Sequence, residues 1–495
     1  MAKDYSKYFI KPSIKDARKR KSQETPVIDF NKHINIKGFG KGRTYKINTY
    51  GCQANEADTE RIKGILELLN FTESDTLEDA DIILLNTCAV RENAENRVFG
   101  ELGRLKQFKK NNPDLILGVC GCMTQEEKVV ERILKSFQYV DLVFGTHNIY
   151  KLPEYLETVV LSKEKVIEVF SEEGSIVENI PRVRANTRKA WVNIMYGCDE
   201  FCTYCIVPYT RGKERSRNKD DIINEIKELI KEGYKEVTLL GQNVNSYGRD
   251  FLDVDYKFAE LLKDLNKLPI SRIRFTTSHP KDFDLETVKI LSQGGNLMPY
   301  IHLPVQSGSN EVLKRMNRKY TKESYKEVID NIYKYIPNVS LTTDIIVGFP
   351  GETKEQFEET IDLVKYCGFE GAYTFVYSKR AGTPAEHYPD NTPFEEKKQR
   401  LYQLNDIVNE GYLRGNKRFE GKIVKVLVDG TSKHNDEILA GYTENNKLVN
   451  FKGNKSLIGE IVEVKVTEAK TWFLKGEQIE NSWHSYQRNI KWRCC

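Results

Sequence analysis

Cys198-Asp199-Glu200-Phe201-Cys202-Thr203-Tyr204-Cys205 is the stretch that decides how this chain is read. Three thiols at x3 then x2 spacing, directly after the apolar run 191–195, suit a 4Fe-4S cluster held by three cysteines, with one iron left open to a small molecule. The competing reading is a zinc knuckle, but zinc sites pair CxxC units or add histidine. None of the seven His lies inside the stretch, so the cluster is favoured.

Working outward, a second series of cysteines follows short apolar runs. The run 45–49 leads into Gly51-Cys52, 82–85 into Asn86-Thr87-Cys88, and 115–119 into Cys120-Gly121-Cys122. Apolar runs alternating with amphipathic stretches predict β/α units and a parallel sheet, whose strand C-termini share one edge where ligands bind. Cys52, Cys88 and Cys122 are thereby expected to meet at a second metal site, with Gly51 and Gly121 permitting close backbone approach and Asn86 and Thr87 offering hydrogen bonds to sulfur. Cys120, still within its apolar run, is read as core.

A further β/α series follows the cluster loop, with expected strands at 191–195, 237–240, 273–276, 300–303, 341–347 and 372–377 and helices such as 220–232 and 354–366. Six such units predict a partial (β/α)6 barrel with its active residues at the C-terminal strand ends. Gly241, Gln242, Asn243, Gln306, Ser307, Asp344, Gly348 and Glu352 fall in those end loops and are the candidates for cofactor binding, with Asp344 and Glu352 suited to hydroxyl or amino groups. From about residue 416 the runs become short and β-branched, predicting a small antiparallel barrel with eleven Lys or Arg against ten acids.

The 495 residues, 30% of them charged, exceed one hydrophobic core, and ten Cys in a chain without a signal peptide or long apolar segment indicate a cytosolic protein using thiols for metal or catalysis. Net charge is only +4. Residues 1–43 carry twelve Lys or Arg against four Asp or Glu, expected to form a flexible basic extension or an arm to phosphates. The expected units are therefore 1–43, an α/β domain at 44–162, a polar linker at 163–185, the barrel at 186–415, the small β-barrel at 416–480 and a tail at 481–495. Arg211, Lys213, Arg215 and Arg217 alternate after the cluster loop. They read equally as a phosphate track for RNA or as a solvated charged face.

Thr49-Tyr50-Gly51-Cys52-Gln53-Ala54-Asn55, Asn86-Thr87-Cys88-Ala89-Val90-Arg91, Gly121-Cys122-Met123 and the run from Asn193 through Cys198 to Gly212 resemble the radical S-adenosylmethionine (SAM) methylthiotransferases, and within them the tRNA branch. The family pattern usually has Met where this chain has Ala54, beside the ligand set rather than in it. The resemblance implies a methylthiotransferase N-terminal domain, a radical SAM barrel and a C-terminal TRAM domain that contacts tRNA. It further implies two 4Fe-4S clusters, one on Cys198, Cys202 and Cys205 and an auxiliary one on Cys52, Cys88 and Cys122, with SAM as both methyl donor and radical source. The substrate implied is N6-(dimethylallyl)adenosine at tRNA position 37, converted to its 2-methylthio form. Partners implied are the tRNA anticodon stem-loop, an electron donor such as flavodoxin or ferredoxin, and a sulfur donor. Nothing in the sequence calls for more than a monomer. The rival readings are methylthiolation of threonylcarbamoyl-adenosine or of a ribosomal-protein aspartate, and, from a different class, a non-catalytic iron–sulfur sensor.

Overall fold

The computed structural model describes residues 25–33, 38–89, 92–169, 174–433 and 435–479. Most of the basic 1–43 segment, the Val90-Arg91 end of one motif, and the 481–495 tail with Cys494-Cys495 lie outside the described residues.

The first unit is a six-stranded, wholly parallel sheet in the order Thr72–Glu73, Thr44–Tyr50, Ile82–Thr87, Ile116–Gly121, Leu142–Phe144, Val166–Glu168. Side chains alternate along each strand, so the two faces bury separate cores. Ile82, Leu84, Ile116 and Cys120 enter one, and Ile83, Leu85, Leu117 and Val119 the other. Cys120 is fully buried, as its run predicts.

Two segments differ from expectation. Val166–Glu168, inside the expected linker, adds the last strand of this sheet. Val27–Asp29, inside the expected extension, pairs in parallel with Ile176–Glu178, and the neighbouring Phe30 is buried in the core. Three-residue strands leave no periodicity to detect, and a single Phe anchors the second of them.

The six strands of the second unit are Lys189–Asn193, Glu236–Leu240, Arg272–Phe275, Tyr300–His302, Ser340–Val347 and Ala372–Val376. They form two parallel three-stranded sheets, and an isolated parallel bridge ties Ile273 of the first to Leu297, just before Tyr300–His302 of the second. One core runs through both, packing Val192, Leu239, Ile301, Leu341 and Ile345 under the helices Lys219–Lys231, Phe258–Leu265, Lys322–Tyr335 and Lys354–Cys367. Ala372–Val376 is paired on one side only among the described residues, leaving the barrel open there.

The last unit is a closed five-stranded barrel in the order Ile423–Ser432, Asn435–Thr443, Leu448–Lys452, Leu474–Gln478, Ile461–Ala469. Four of its five pairs are antiparallel, in keeping with the expected small barrel, and Leu448–Lys452 and Leu474–Gln478 run parallel. This barrel docks on the N-terminal ends of the larger barrel's strands. Arg274 donates to the carbonyls of Glu444 and Thr443, Asn445 to Pro299 and Asn338, and Lys189 pairs with Asp429. The opposite, C-terminal strand ends are left for the cysteines. No helix among the described residues is long and apolar enough to cross a membrane.

Candidate metal centres

The cluster loop follows Met195–Tyr196 and is pinned from three directions. Gly197 has φ +76°, and a Cβ there would stand 1.9 Å from the Lys213 carbonyl oxygen, so only glycine lets the loop lie this close. The Cys198 amide donates to the Gly212 carbonyl, and Asp199 and Glu214 exchange amide-to-carboxylate bonds of 3.4 and 3.3 Å. Asn317 donates to the carbonyls of Glu200 and Phe201, and Thr203 bonds the Met316 and Arg315 carbonyls. At Cys202 the sulfur accepts from Arg318 at 3.2 Å.

Burial foremost, then the Glu214 carboxylate and the neighbouring thiols, pushes Cys198 well up, and burial with the Cys202 thiol pushes Cys205 to about 12. Three thiols brought together on one short loop would be favoured as thiolates by a cation bound among them. The donor set therefore fits a thiolate-held metal cluster.

The second series follows from strand register. Tyr50 pairs with Thr87 and Thr87 with Gly121, so the three strands end level, and Cys52, Cys88 and Cys122 follow within one or two residues. The Cys88 amide bonds the Tyr50 carbonyl at 3.0 Å. A hydrogen bond with Cys88, outweighing burial and aided by the Arg211 charge, draws the Cys52 thiol down to about 5, whereas burial pushes Cys122 up to about 11. Asn55 sits among them: it donates to Asn86, to the Thr87 carbonyl and, at 3.9 Å, toward the Cys122 sulfur. Gly121 has φ +101°, and a Cβ there would meet the Thr87 carbonyl oxygen at 2.4 Å. Three thiols at one edge, backed by amide donors, are chemically suited to the same kind of cluster.

The two triads adjoin. Cys122 packs with Ala89 and with Ile206, the residue after Cys205, while Tyr209 lies alongside.

Family models match the chain in three places: the radical SAM superfamily at 192–364, the uncharacterized protein family UPF0004 at 44–145 and the TRAM domain at 417–479. The tRNA-2-methylthio-N(6)-dimethylallyladenosine synthase of Bacillus licheniformis is 60% identical over 482 residues, covering 96% of this chain and 95% of the relative. That of Bacillus subtilis is likewise 60% identical over 482 residues, with the same coverage. This chain belongs to that synthase family. In fold it is also similar to TsrM, a radical SAM methyltransferase from Kitasatospora setae, with a TM-score of 0.52 at 13% identity over 70% of this chain and 75% of that one. Membership of the radical SAM superfamily implies a 4Fe-4S cluster and SAM.

Around the C-terminal strand ends the predicted cofactor-binding residues divide. Gln242 accepts from the Gly197 amide, tying its loop to the cysteine loop, and the adjoining Gly241 packs against Met195. Gln306, at φ +70°, donates its amide to the Asp344 carbonyl. Asp344 stays partly exposed beside His302, 3.2 Å away.

Asn243, Ser307 and Glu352 also bond within the protein, although the buried Oδ1 of Asn243 has no partner among the described residues. Asn243 donates to Asp282, and Ser307 is fully buried against Thr360. Glu352 accepts from the Gly348 amide and pairs with buried Arg400 at 2.9 Å.

Arg211, Lys213, Arg215 and Arg217 form no exposed track either: all four are buried. Arg217 pairs with Glu178 and Glu225, Arg211 pairs with Asp58, and Arg215 bonds the Arg211 carbonyl. Glu200, His279 and Asp282 lie close enough to suggest a further metal site, but Lys281, Lys319 and Arg249 already surround Glu200, so the charge is taken up. Of the donors to sulfur, Arg318 and Asn55 were not singled out by sequence, and Arg211 was singled out for phosphate rather than for sulfur. Only Asn55, three residues after Cys52, sits near enough in the chain to have been signalled.

Proposed function

We infer that this chain methylthiolates carbon 2 of N6-(dimethylallyl)adenosine at position 37 of tRNA, next to the anticodon. The observation that carries this reading is its likeness to the Bacillus synthases along almost the whole chain. Cys198, Cys202 and Cys205 would hold the radical SAM cluster, and Cys52, Cys88 and Cys122 an auxiliary one. Carbon 2 has neither an acidic proton nor a leaving group, and the clusters with SAM supply the radical and the sulfur chemistry that its substitution requires.

The chain's own residues bind and orient. His302, Asp344 and Tyr373 share one face of adjacent strands: Asp344 pairs in register with Tyr373, and the His302 and Tyr373 rings are 5.8 Å apart. Tyr373 and Phe375, two residues apart on the open edge, are exposed, and aromatic faces of this kind receive unstacked bases of single-stranded loops. Gln242 and Gln306, on loops at the cluster end, would contact SAM. An electron donor such as flavodoxin or ferredoxin and a separate sulfur donor complete the reaction, in the cytoplasm, with the chain as a monomer.

The test is mass spectrometry of nucleosides from dimethylallyladenosine-containing tRNA incubated anaerobically with the iron- and sulfide-reconstituted chain, SAM and reductant. The 2-methylthio nucleoside is expected. 5′-Deoxyadenosine without that product would keep the radical SAM assignment and move the substrate to threonylcarbamoyl-adenosine or a protein side chain. Cys198→Ala should abolish SAM cleavage. Cys122→Ala should leave 5′-deoxyadenosine formation while stopping sulfur insertion, and methylthio product from that variant would overturn the two-cluster reading.

A further inference from the structure

Arg211 belongs by sequence to the radical SAM loop and by contact to the other triad. It follows the short helix Val207–Thr210, which begins two residues after Cys205, and its amide is held by the Val207 carbonyl at 2.8 Å. From there the side chain crosses to the first unit. Nε donates to the Cys122 sulfur at 3.0 Å, and Nη2 pairs with Asp58 at 2.8 Å. Arg211 and Asp58 are 6% and 2% exposed, so solvent screens neither charge effectively.

We propose that Arg211 is the positioning residue of the auxiliary cluster: it fixes the Cys122 sulfur from the radical SAM side and holds that cluster at a higher reduction potential than its thiolates alone would give. The proposal rests on the reading of Cys52, Cys88 and Cys122 as cluster ligands.

The physical argument runs from charge. Reduction adds an electron to a cluster already made negative by thiolates, and a hydrogen bond or positive charge at a ligand sulfur stabilises the added electron. Cys122 has one charged donor, Arg211, and one distant neutral donor, Asn55 at 3.9 Å. Asp58 opposes the effect, because its carboxylate offsets part of the guanidinium charge and is shared with Arg61 at 3.6 Å. The radical SAM triad carries the counterpart contact, Arg318 to Cys202, whose guanidinium otherwise bonds the Pro304 carbonyl and the Tyr320 hydroxyl. Each triad thus has one buried guanidinium on one sulfur, and only the Arg211 contact spans the two units. Its position also gives the two triads a fixed relative geometry, since a shift of the cysteine loop would pull on the Cys122 sulfur.

The experiment uses the full chain with Cys198, Cys202 and Cys205 all replaced by Ala, so that a single cluster remains, and follows its midpoint potential by redox titration with electron paramagnetic resonance. Adding Arg211→Gln should lower the equilibrium constant for one-electron reduction at least tenfold, a downward shift of about 59 mV. Adding Asp58→Asn should shift the midpoint upward, because it removes a buried carboxylate that acts on Cys122 and leaves the Arg211 charge unopposed. A merely structural ion pair would not give opposite signs.

If the triple-Ala chain binds no cluster, the auxiliary-cluster reading itself fails, whatever Arg211 does. If it binds one and neither substitution moves the midpoint, or both move it the same way, the role of Arg211 is overturned. Should Arg211→Gln fail to retain the cluster, Arg211→Lys takes its place: its ammonium cannot reproduce the guanidinium bond to Cys122, so the midpoint should still fall, and an unmoved midpoint overturns the role.

Discussion

Arg272 donates to the backbone carbonyl of Tyr442 at 2.8 Å across 170 residues of sequence, and with its other nitrogen to that of Lys425 at 2.9 Å. It is among the largest fully buried side chains and shares Glu236 with Arg274. The small barrel is therefore fastened to the base of the large one partly by charged donors acting on its main-chain carbonyls, beside contacts made by its own side chains Asn445, Asp429 and Lys447.

Arg272→Met should loosen that seam. Hydrogen bonds from a charged group contribute about 1.5–3 kcal/mol each, so losing two, with Arg274 and Glu236 still paired, is expected to cost about 3–6 kcal/mol. In urea the variant should show a separate early transition for the 417–479 barrel, because chains of several units need not unfold in one step. A single transition at the parental midpoint would show that the docking is held elsewhere.

Gly121→Ala addresses the second triad without touching a sulfur. The backbone at φ +101° is strained for any L side chain, and the added methyl group would press on the Thr87 carbonyl oxygen, part of a neighbouring strand that cannot move freely. A cost of about 1–3 kcal/mol is expected from the conformation alone. Iron and sulfide analysis should find one cluster's worth missing after reconstitution, with SAM cleavage retained. Full iron content would show that Cys122 tolerates displacement.

The sulfur-bearing edges were legible in the sequence for a physical reason: each cysteine directly follows an apolar run, and in a parallel sheet runs of similar length end level. The arginines were misread for an equally physical one. Alternation of Arg211, Lys213, Arg215 and Arg217 marks one face of an extended segment, but whether that face meets water depends on residues far away in sequence. Here Asp58 and Glu178 supply the counter-charges, and neither is signalled by local pattern. The pairing of Glu352 was illegible in the same way, because its partner Arg400 lies 48 residues on. Short strands such as Val166–Glu168 carry too few residues for any period to show.

Glu352→Gln separates a structural carboxylate from a cofactor contact. Burial pushes this carboxyl above its ordinary range, although the Gly348 amide and Arg400 pull against it. The substitution leaves Arg400 buried with its charge unbalanced at that end, and breaking one side of a buried pair costs about 3–5 kcal/mol. Thermal stability should fall while the SAM dissociation constant, measured by calorimetry on the reconstituted protein at a temperature below the transition, stays within twofold. A tenfold loss of SAM affinity would return Glu352 to the cofactor site.

Glu178 and Arg217 give the contact between the strand Ile176–Glu178 and the large barrel its acid sensitivity. Two nitrogens of Arg217 meet the two oxygens of Glu178, each at 2.6 Å, and a third bonds Glu225 at 2.8 Å. Burial alone would raise the Glu178 carboxyl, but the Arg217 hydrogen bonds and charge outweigh it and hold the pKa below the ordinary glutamate value. A folded pKa lower than the unfolded one means that the stabilisation is complete above the unfolded value, about 4.3, and drains away as pH falls through the folded one. Unfolding midpoints should therefore hold steady from pH 7 to about 5 and decline below that. Glu178→Gln should lose stability at neutral pH and flatten the acid decline, because the group that must be protonated is gone. A variant that falls off with acid as steeply as the parent would assign the sensitivity to other carboxylates, with Glu225, which also bonds Arg182 and Arg184, the next to replace.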